Sequence, residues 1–143
     1  MQESFANSAG RHLQDARILL AEQRWDNAVY LAGYVVECSF KVLIEQHFKH
    51  DRGAVKKYGH DLTELDGRTL DRLRLLYPIL DKQLPASRVA GTVLARNHPE
   101  RRYFKSGYWV ESDAQAAVQL AEEIYREIIS KLVLNGSISS QDI

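Results

Sequence analysis

The feature that most constrains this chain is the stretch 30–44, YLAGYVVECSFKVLI. Apolar residues at Ala28, Leu31, Ala32, Val35, Val36, Phe40, Val42, Leu43 and Ile44 crowd most sides of a 3.6-residue repeat. A helix that is apolar nearly all round belongs in the middle of a bundle, not on its surface. Glu37 and Lys41 interrupt the apolar run four residues apart, acid first, which is the favourable order for a helical ion pair. With Tyr30 and Tyr34 they fall on one polar and aromatic stripe. A central helix must find partners for such a stripe, because buried polar groups are hydrogen-bonded.

A length of 143 residues fits one domain with a real core around that helix. Nineteen basic residues balance nineteen acidic ones, so no global field draws the chain to nucleic acid or membrane. Binding of that kind has to come from a local patch. The single cysteine, Cys38, excludes an internal disulfide framework, suits a reducing compartment, and in so apolar a helix reads as a buried structural thiol. The polar N-terminus, with Glu3, Arg11 and Asp15, does not read as a signal peptide. No uninterrupted apolar run matches a bilayer span. A cytoplasmic protein with no membrane partner is expected.

The remaining helices flank the central one. Ser4 is placed to cap a first helix, with Phe5, Ala9, Leu13, Ala16, Leu19 and Leu20 at helical spacing and an end near Gln23. Asp26 reads as the cap of the second helix, over 27–48, with Trp25 and Tyr30 as its hydrophobic staple. The polar, basic stretch 47–59 reads as a loop. A third helix is predicted over 69–77 up to Pro78, and another start at Pro85, with Val89, Val93 and Leu94 on its apolar face. Pro99 fits the first position of a short helix capped by Asn97 or His98. Ser112 and Gln115 form a capping-box pattern before a last helix striped by Ala117, Val118, Ala121, Ile124, Tyr125, Ile128 and Leu132. Asn135 and Gly136 close it. Residues 1–136 thus form one all-α domain, an up-and-down bundle of four to five helices, and 137–143 a loose tail. No repeat and no convincing strand is visible.

Candidate chemistry is sparse. Five scattered histidines and one cysteine give no zinc pattern, and no phosphate-binding glycine loop or nucleophile elbow is present, so no metal and no cofactor is expected. Three groups remain. Between Arg96 and Trp109 lie four basic residues and four aromatics within fourteen positions, a composition able to hold phosphate and stack on bases. On composition alone the plainer reading, an exposed basic loop whose aromatics fold back on the core, outweighs it. The adjacent His60 and Asp61 could move protons, but such a pair more often orders a turn. Glu37 and Lys41 read first as a structural pair, and as support for a site should they line a cleft with Arg96.

The second-helix pattern AVYLAGYVVECSFKVL, with its Glu and Lys four apart, resembles the second helix of HEPN domains. The following Gly59-His60-Asp61-Leu62 is similar to a short motif that many of them carry there. The resemblance spans the first predicted helix through the last. It implies a small all-α bundle of four or five helices, usually dimeric. Many HEPN domains are metal-independent ribonucleases acting as toxins, CRISPR effectors or other defence components; others have lost catalysis, and several are encoded beside a minimal nucleotidyltransferase.

The active motif of that family is an Arg, a polar residue often Asn, and a His four to six positions after the Arg, sometimes with a Tyr two beyond. Arg96 and Asn97 match its first two positions and Tyr103 its tyrosine. Where the catalytic His is due, the chain has Arg101, and His98 stands only two residues after Arg96. Metal-free RNA cleavage uses a group that exchanges protons near neutral pH, as imidazole does and guanidinium does not. The resemblance therefore implies a module binding nucleotide or RNA phosphate through Arg96, Asn97, Arg101, Arg102 and Tyr103, a component of a toxin–antitoxin or defence-type system. Glu37, Lys41, His60 and Asp61 would support that site. Two alternatives stand beside it. One is a divergent metal-independent endoribonuclease with Arg96 and His98, or His60, in catalytic roles. The other is a structural dimerisation or partner-binding subunit. A homodimer is expected, with Tyr108 and Trp109 as interface anchors. A nucleotidyltransferase-type antitoxin is the expected partner, able to modify the Tyr103 hydroxyl.

Overall fold

A computed structural model describes residues 4–47, 62, 89, 91–95, 98–100 and 104–139. Three helical rods make the bundle: α1 (Phe5–Ala21), α2 (Trp25–His47) and α3 (Glu111–Tyr125). Among the described residues there is no strand. The predicted helices over 69–77 and from Pro85, and the loop at 48–59, lie outside the described residues, apart from Val89 and residues 91–95.

The helix α2 is central, packed against both α1 and α3. Val35 and Val36 are fully buried, and Phe40 and Leu43 almost so. The facing sides of all three rods carry small residues: Ala9 and Ala16 on α1, Ala28 and Ala32 on α2, Ala114, Ala117 and Ala121 on α3. Short side chains let the helix axes approach closely and leave the larger Phe40, Ile44 and Ile124 to fill the remaining space. The apolar run of α2 is interrupted by Glu37 and Lys41. Residues Trp25–Gln46 are long and apolar enough to cross a membrane by length and composition, and burial inside the bundle accounts for that apolarity. Two buried polar groups on α2 are met within the helix: Ser39 Oγ donates to the Val35 carbonyl at 2.7 Å, and Lys41 Nζ to Glu37 at 3.2 Å. The Cys38 thiol is buried, and desolvation, helped by the nearby Glu37 charge, pushes its pKa up to about 12.

Helix ends show where local signals hold. Ser4 caps α1, its Oγ accepting from the Asn7 N–H at 3.2 Å. The other end of α1 closes in a Schellman turn, with Arg24 N–H donating to the Leu19 carbonyl and Gln23 N–H to that of Leu20. Gln23 occupies the left-handed position, φ 61°, that glycine usually fills. Asn135 and Gly136 close the C-terminal helix as expected, with Gly136 at φ 79° and Ser137 N–H donating to the Leu132 carbonyl.

The expected caps of α2 and α3 are corrected. The helix α2 begins at Trp25, so Asp26 sits inside its first turn. The helix α3 begins at Glu111, with Val110 at the cap position, and its Asp113 carboxylate accepts from the Val110 N–H at 3.2 Å. Gln115 instead donates to Glu111 at 3.2 Å. After Tyr125 the rod widens into a π turn, Arg126–Ser130, then tightens into α4 (Lys131–Leu134). The wide turn brings Ile128 and the next residue, Ile129, into the core together. Ile138, within the expected loose tail, packs against that core.

Candidate functional site

The stripe on α2 faces the segment that precedes α3. Val89 and Leu94 are fully buried and tie that segment to the core. Thr92 N–H donates to the Val89 carbonyl at 3.1 Å across a turn with Gly91 at φ 78°, and a 3-10 turn, Val93–Ala95, comes next. A few residues later the chain reaches His98, which lands on α2.

His98 Nε2 lies 3.0 Å from Glu37 Oε1, while Lys41 Nζ lies 3.2 Å from Glu37 Oε2. One carboxylate thus serves two donors, one from its own helix and one from 61 positions further along the chain. A carboxylate only accepts, so His98 Nε2 carries the hydrogen. The three side chains are 2–9% exposed, His98 least and Lys41 most. The His98 ring also meets Tyr34 edge-on at 4.7 Å. Tyr34 in turn contacts Tyr30 at 5.1 Å and His12 of α1 at 5.9 Å. Lys41 Nζ stands 5.5 Å from the centre of the Phe5 ring. Burial, with Arg11 adding to it, lowers the pKa of His12.

Access to solvent sets the chemistry open to this cluster. Once Nε2 is committed to Glu37, the basic atom of a neutral His98 is Nδ1, and that atom is buried. An imidazole so enclosed is a poor base for a substrate arriving from solution. It is a good anchor, since a buried hydrogen bond to a charged group is among the stronger ones. Glu37 and Lys41 are therefore a buried pair with a third member, and that member carries the loop. The expected short helix at Pro99 is described only through its first residues: His98 and Pro99 form a turn, joined by a cis peptide, and Glu100 comes after it.

Of the other expected site residues, Arg96, Asn97, Arg101, Arg102, Tyr103, His60 and Asp61 lie outside the described residues. Leu62, next to that His-Asp pair, is buried in the core. Trp109 is 2% exposed and packs in the core of the single chain, which corrects its assignment as an interface anchor; Tyr108 beside it is 54% exposed. No group of three or more metal-ligating side chains occurs among the described residues.

Asp26 is the residue whose role local sequence reasoning missed. Its carboxylate accepts from the Gly107 N–H at 2.9 Å and the Trp109 N–H at 3.2 Å, so it fastens the approach to α3 onto the start of α2. Its sequence signal was indistinguishable from that of a helix cap. His12 carried no signal beyond its place on the half-buried face of α1.

The family model for the HEPN domain matches residues 2–132. No curated protein and no solved structure matches the chain. The matched region takes in the three rods, the polar stripe of α2 and the segment that His98 anchors, and on that match the chain belongs to the HEPN domain family.

Proposed function

We propose that this chain is a HEPN module that binds nucleotide or RNA phosphate through its basic segment 96–103, and that it is a component of a toxin–antitoxin or defence-type system. The observation that carries the reading is the burial of His98 against Glu37 and Tyr34. The basic segment holds one histidine, and its imidazole is spent on holding that segment to the central helix. Around it in sequence stand Arg96 and Asn97 on one side and Arg101, Arg102 and Tyr103 on the other. Guanidinium groups bind phosphate through charge-assisted, often bidentate hydrogen bonds, and they keep their proton at neutral pH. Such a segment binds phosphate without supplying a base. The endoribonuclease alternative requires His98 to leave Glu37, or His60 to act in its place.

The test is binding. Titration of the wild type with a short single-stranded RNA, and separately with a mononucleotide, should give saturable binding that weakens with salt, because phosphate contacts release counterions. The Arg96→Ala and Arg101→Ala variants should each lose affinity. Absence of any binding, in a wild type that forms a stable complex with a co-expressed neighbour protein, would favour a structural partner-binding role instead.

A further inference from the structure

A stripe of polar side chains on α1 borders an open cleft of about 350 Å³ against the last turn of α3. Asn7, Gly10, Arg11, Gln14 and Arg17 line it from α1, spaced so that they share one face of the helix. Tyr125, the last residue of α3, lines it from the other wall. Gly10 makes room for that ring. A Cβ at residue 10 would stand 3.3 Å from the Tyr125 hydroxyl oxygen, so the hydroxyl rests against bare backbone. Burial raises the Tyr125 pKa, with Arg17 opposing, so the phenol keeps its proton and acts as a donor.

The charges at the cleft favour an anion. Glu122 pairs with Arg17 and, at 2.7 Å, with Arg126, so two guanidinium groups share one carboxylate. Arg11 adds a further positive charge, and among the described residues it has no hydrogen bond or ion pair. The Gln14 amide and the Tyr125 hydroxyl are equally uncommitted among the described residues. None of the lining side chains is acidic. Asp15, the one acidic residue of α1, does not line the cleft and acts on His12. Arg11, Arg17 and Arg126 together outnumber Glu122 and Asp15.

A guanidinium group, an amide N–H and a phenolic O–H are all donors, and an oxyanion accepts from all three. Here they come from both walls of one cleft. A phosphate group turns three oxygens in different directions and suits that arrangement, whereas a carboxylate holds two in one plane. We propose that this cleft binds the phosphate group of a small phosphate monoester. Every residue that lines it lies on α1 or α3, and none belongs to the basic segment 96–103, so the site stands or falls apart from the function proposed above.

The test is a titration at constant ionic strength, followed by the assigned backbone amide signals of the full chain in ¹⁵N-resolved NMR spectra. The probes are inorganic phosphate, AMP, adenosine and acetate. Phosphate and AMP should shift the signals of Gly10, Arg11 and Gln14 saturably, and adenosine and acetate should not. Arg11 is exposed, so Arg11→Gln leaves the fold intact, and it should weaken phosphate binding by about 10-fold or more. Tyr125→Phe, which removes only the hydroxyl, should weaken it by about 2- to 12-fold, and Arg96→Ala should leave these shifts unchanged. Acetate binding as well as phosphate, or affinity unchanged in Arg11→Gln, overturns the site. Shifts confined to the basic segment and lost in Arg96→Ala overturn it as well, and leave the proposed function standing.

Discussion

Replacing Glu37 with Gln tests the centre of the structure with almost no change in shape. The side chains of Glu37, Lys41 and His98 are 4%, 9% and 2% exposed, so solvent screens them little. The amide offers one acceptor oxygen where the carboxylate offered two, so either the Lys41 ammonium or the His98 N–H loses its acceptor. It also removes the negative charge that stands against Lys41. Taking away one member of a buried ion pair costs about 3–5 kcal/mol. The lower end applies here, since the Phe5 ring still attracts the ammonium by about 0.5–1 kcal/mol and the lysine stem can carry its charge outward. A loss of about 3 kcal/mol should lower Tm by about 10 °C in a domain of this size. In Glu37→Gln/Lys41→Met no ammonium remains to be left unpaired, so the double variant should recover part of the loss. Denaturant melts of wild type, both single variants and the double variant should therefore give a coupling of at least about 1 kcal/mol. Strictly additive losses, or a Glu37→Gln penalty below about 1 kcal/mol, would refute the account of this cluster.

Three further outcomes can be measured on the same footing. Phe40 is 1% exposed between the rods, so Phe40→Ala should cost about 3–5 kcal/mol in denaturant melts, and a cost near zero would place it outside the core. Gln23→Gly relieves a left-handed residue, worth about 1–2 kcal/mol, against about 0.4–1 kcal/mol of added freedom in the unfolded chain; a net gain of about 0.5 kcal/mol is expected, and a loss would contradict the turn described. His12 has its pKa lowered below the ordinary 6.5, first by burial and then by Arg11. The unfolded chain therefore takes up this proton more readily. The contribution of His12 to stability is complete above about pH 6.5 and is lost as pH falls toward the lowered folded value. His12→Asn should flatten the dependence of stability on pH in that window, and an unchanged slope would count against it.

Much of this was legible in the sequence, and the parts that were not share a cause. The burial of Val35, Val36 and Phe40, the Glu37–Lys41 pair, the Ser4 cap and the Asn135-Gly136 stop all depend on neighbours within a few positions, which periodicity and capping chemistry report. Asp26 looks like a cap from its neighbours alone because its partners, the amides of Gly107 and Trp109, lie 81 and 83 positions away. The start of α3 lies at Glu111 rather than after Ser112 because Asp113 meets the free amide of Val110, the part that the sequence pattern gives to Gln115 at Ser112. Glu37 showed its near partner and hid its far one, His98. Tyr108 and Trp109 are adjacent aromatics with equal claims on core or surface, and only the course of the backbone separates them. The π turn that buries both Ile128 and Ile129 has no local signature in this sequence.

The central claim is that His98 anchors the basic segment and does not cleave RNA. It is tested most directly by incubating a labelled single-stranded RNA, under chelator, with excess wild-type protein, His98→Ala and Arg101→His. The wild type should bind the RNA and leave it intact, or cut it slowly, with no difference in cutting between wild type and His98→Ala beyond what weakened binding explains. Arg101→His restores an imidazole at the position where the resemblance places one. A positioned general acid or base contributes about 10²–10⁴-fold in rate, so this variant is the one in which cleavage should rise. Strong metal-free cleavage by the wild type that vanishes in His98→Ala, with RNA binding intact, would contradict the account.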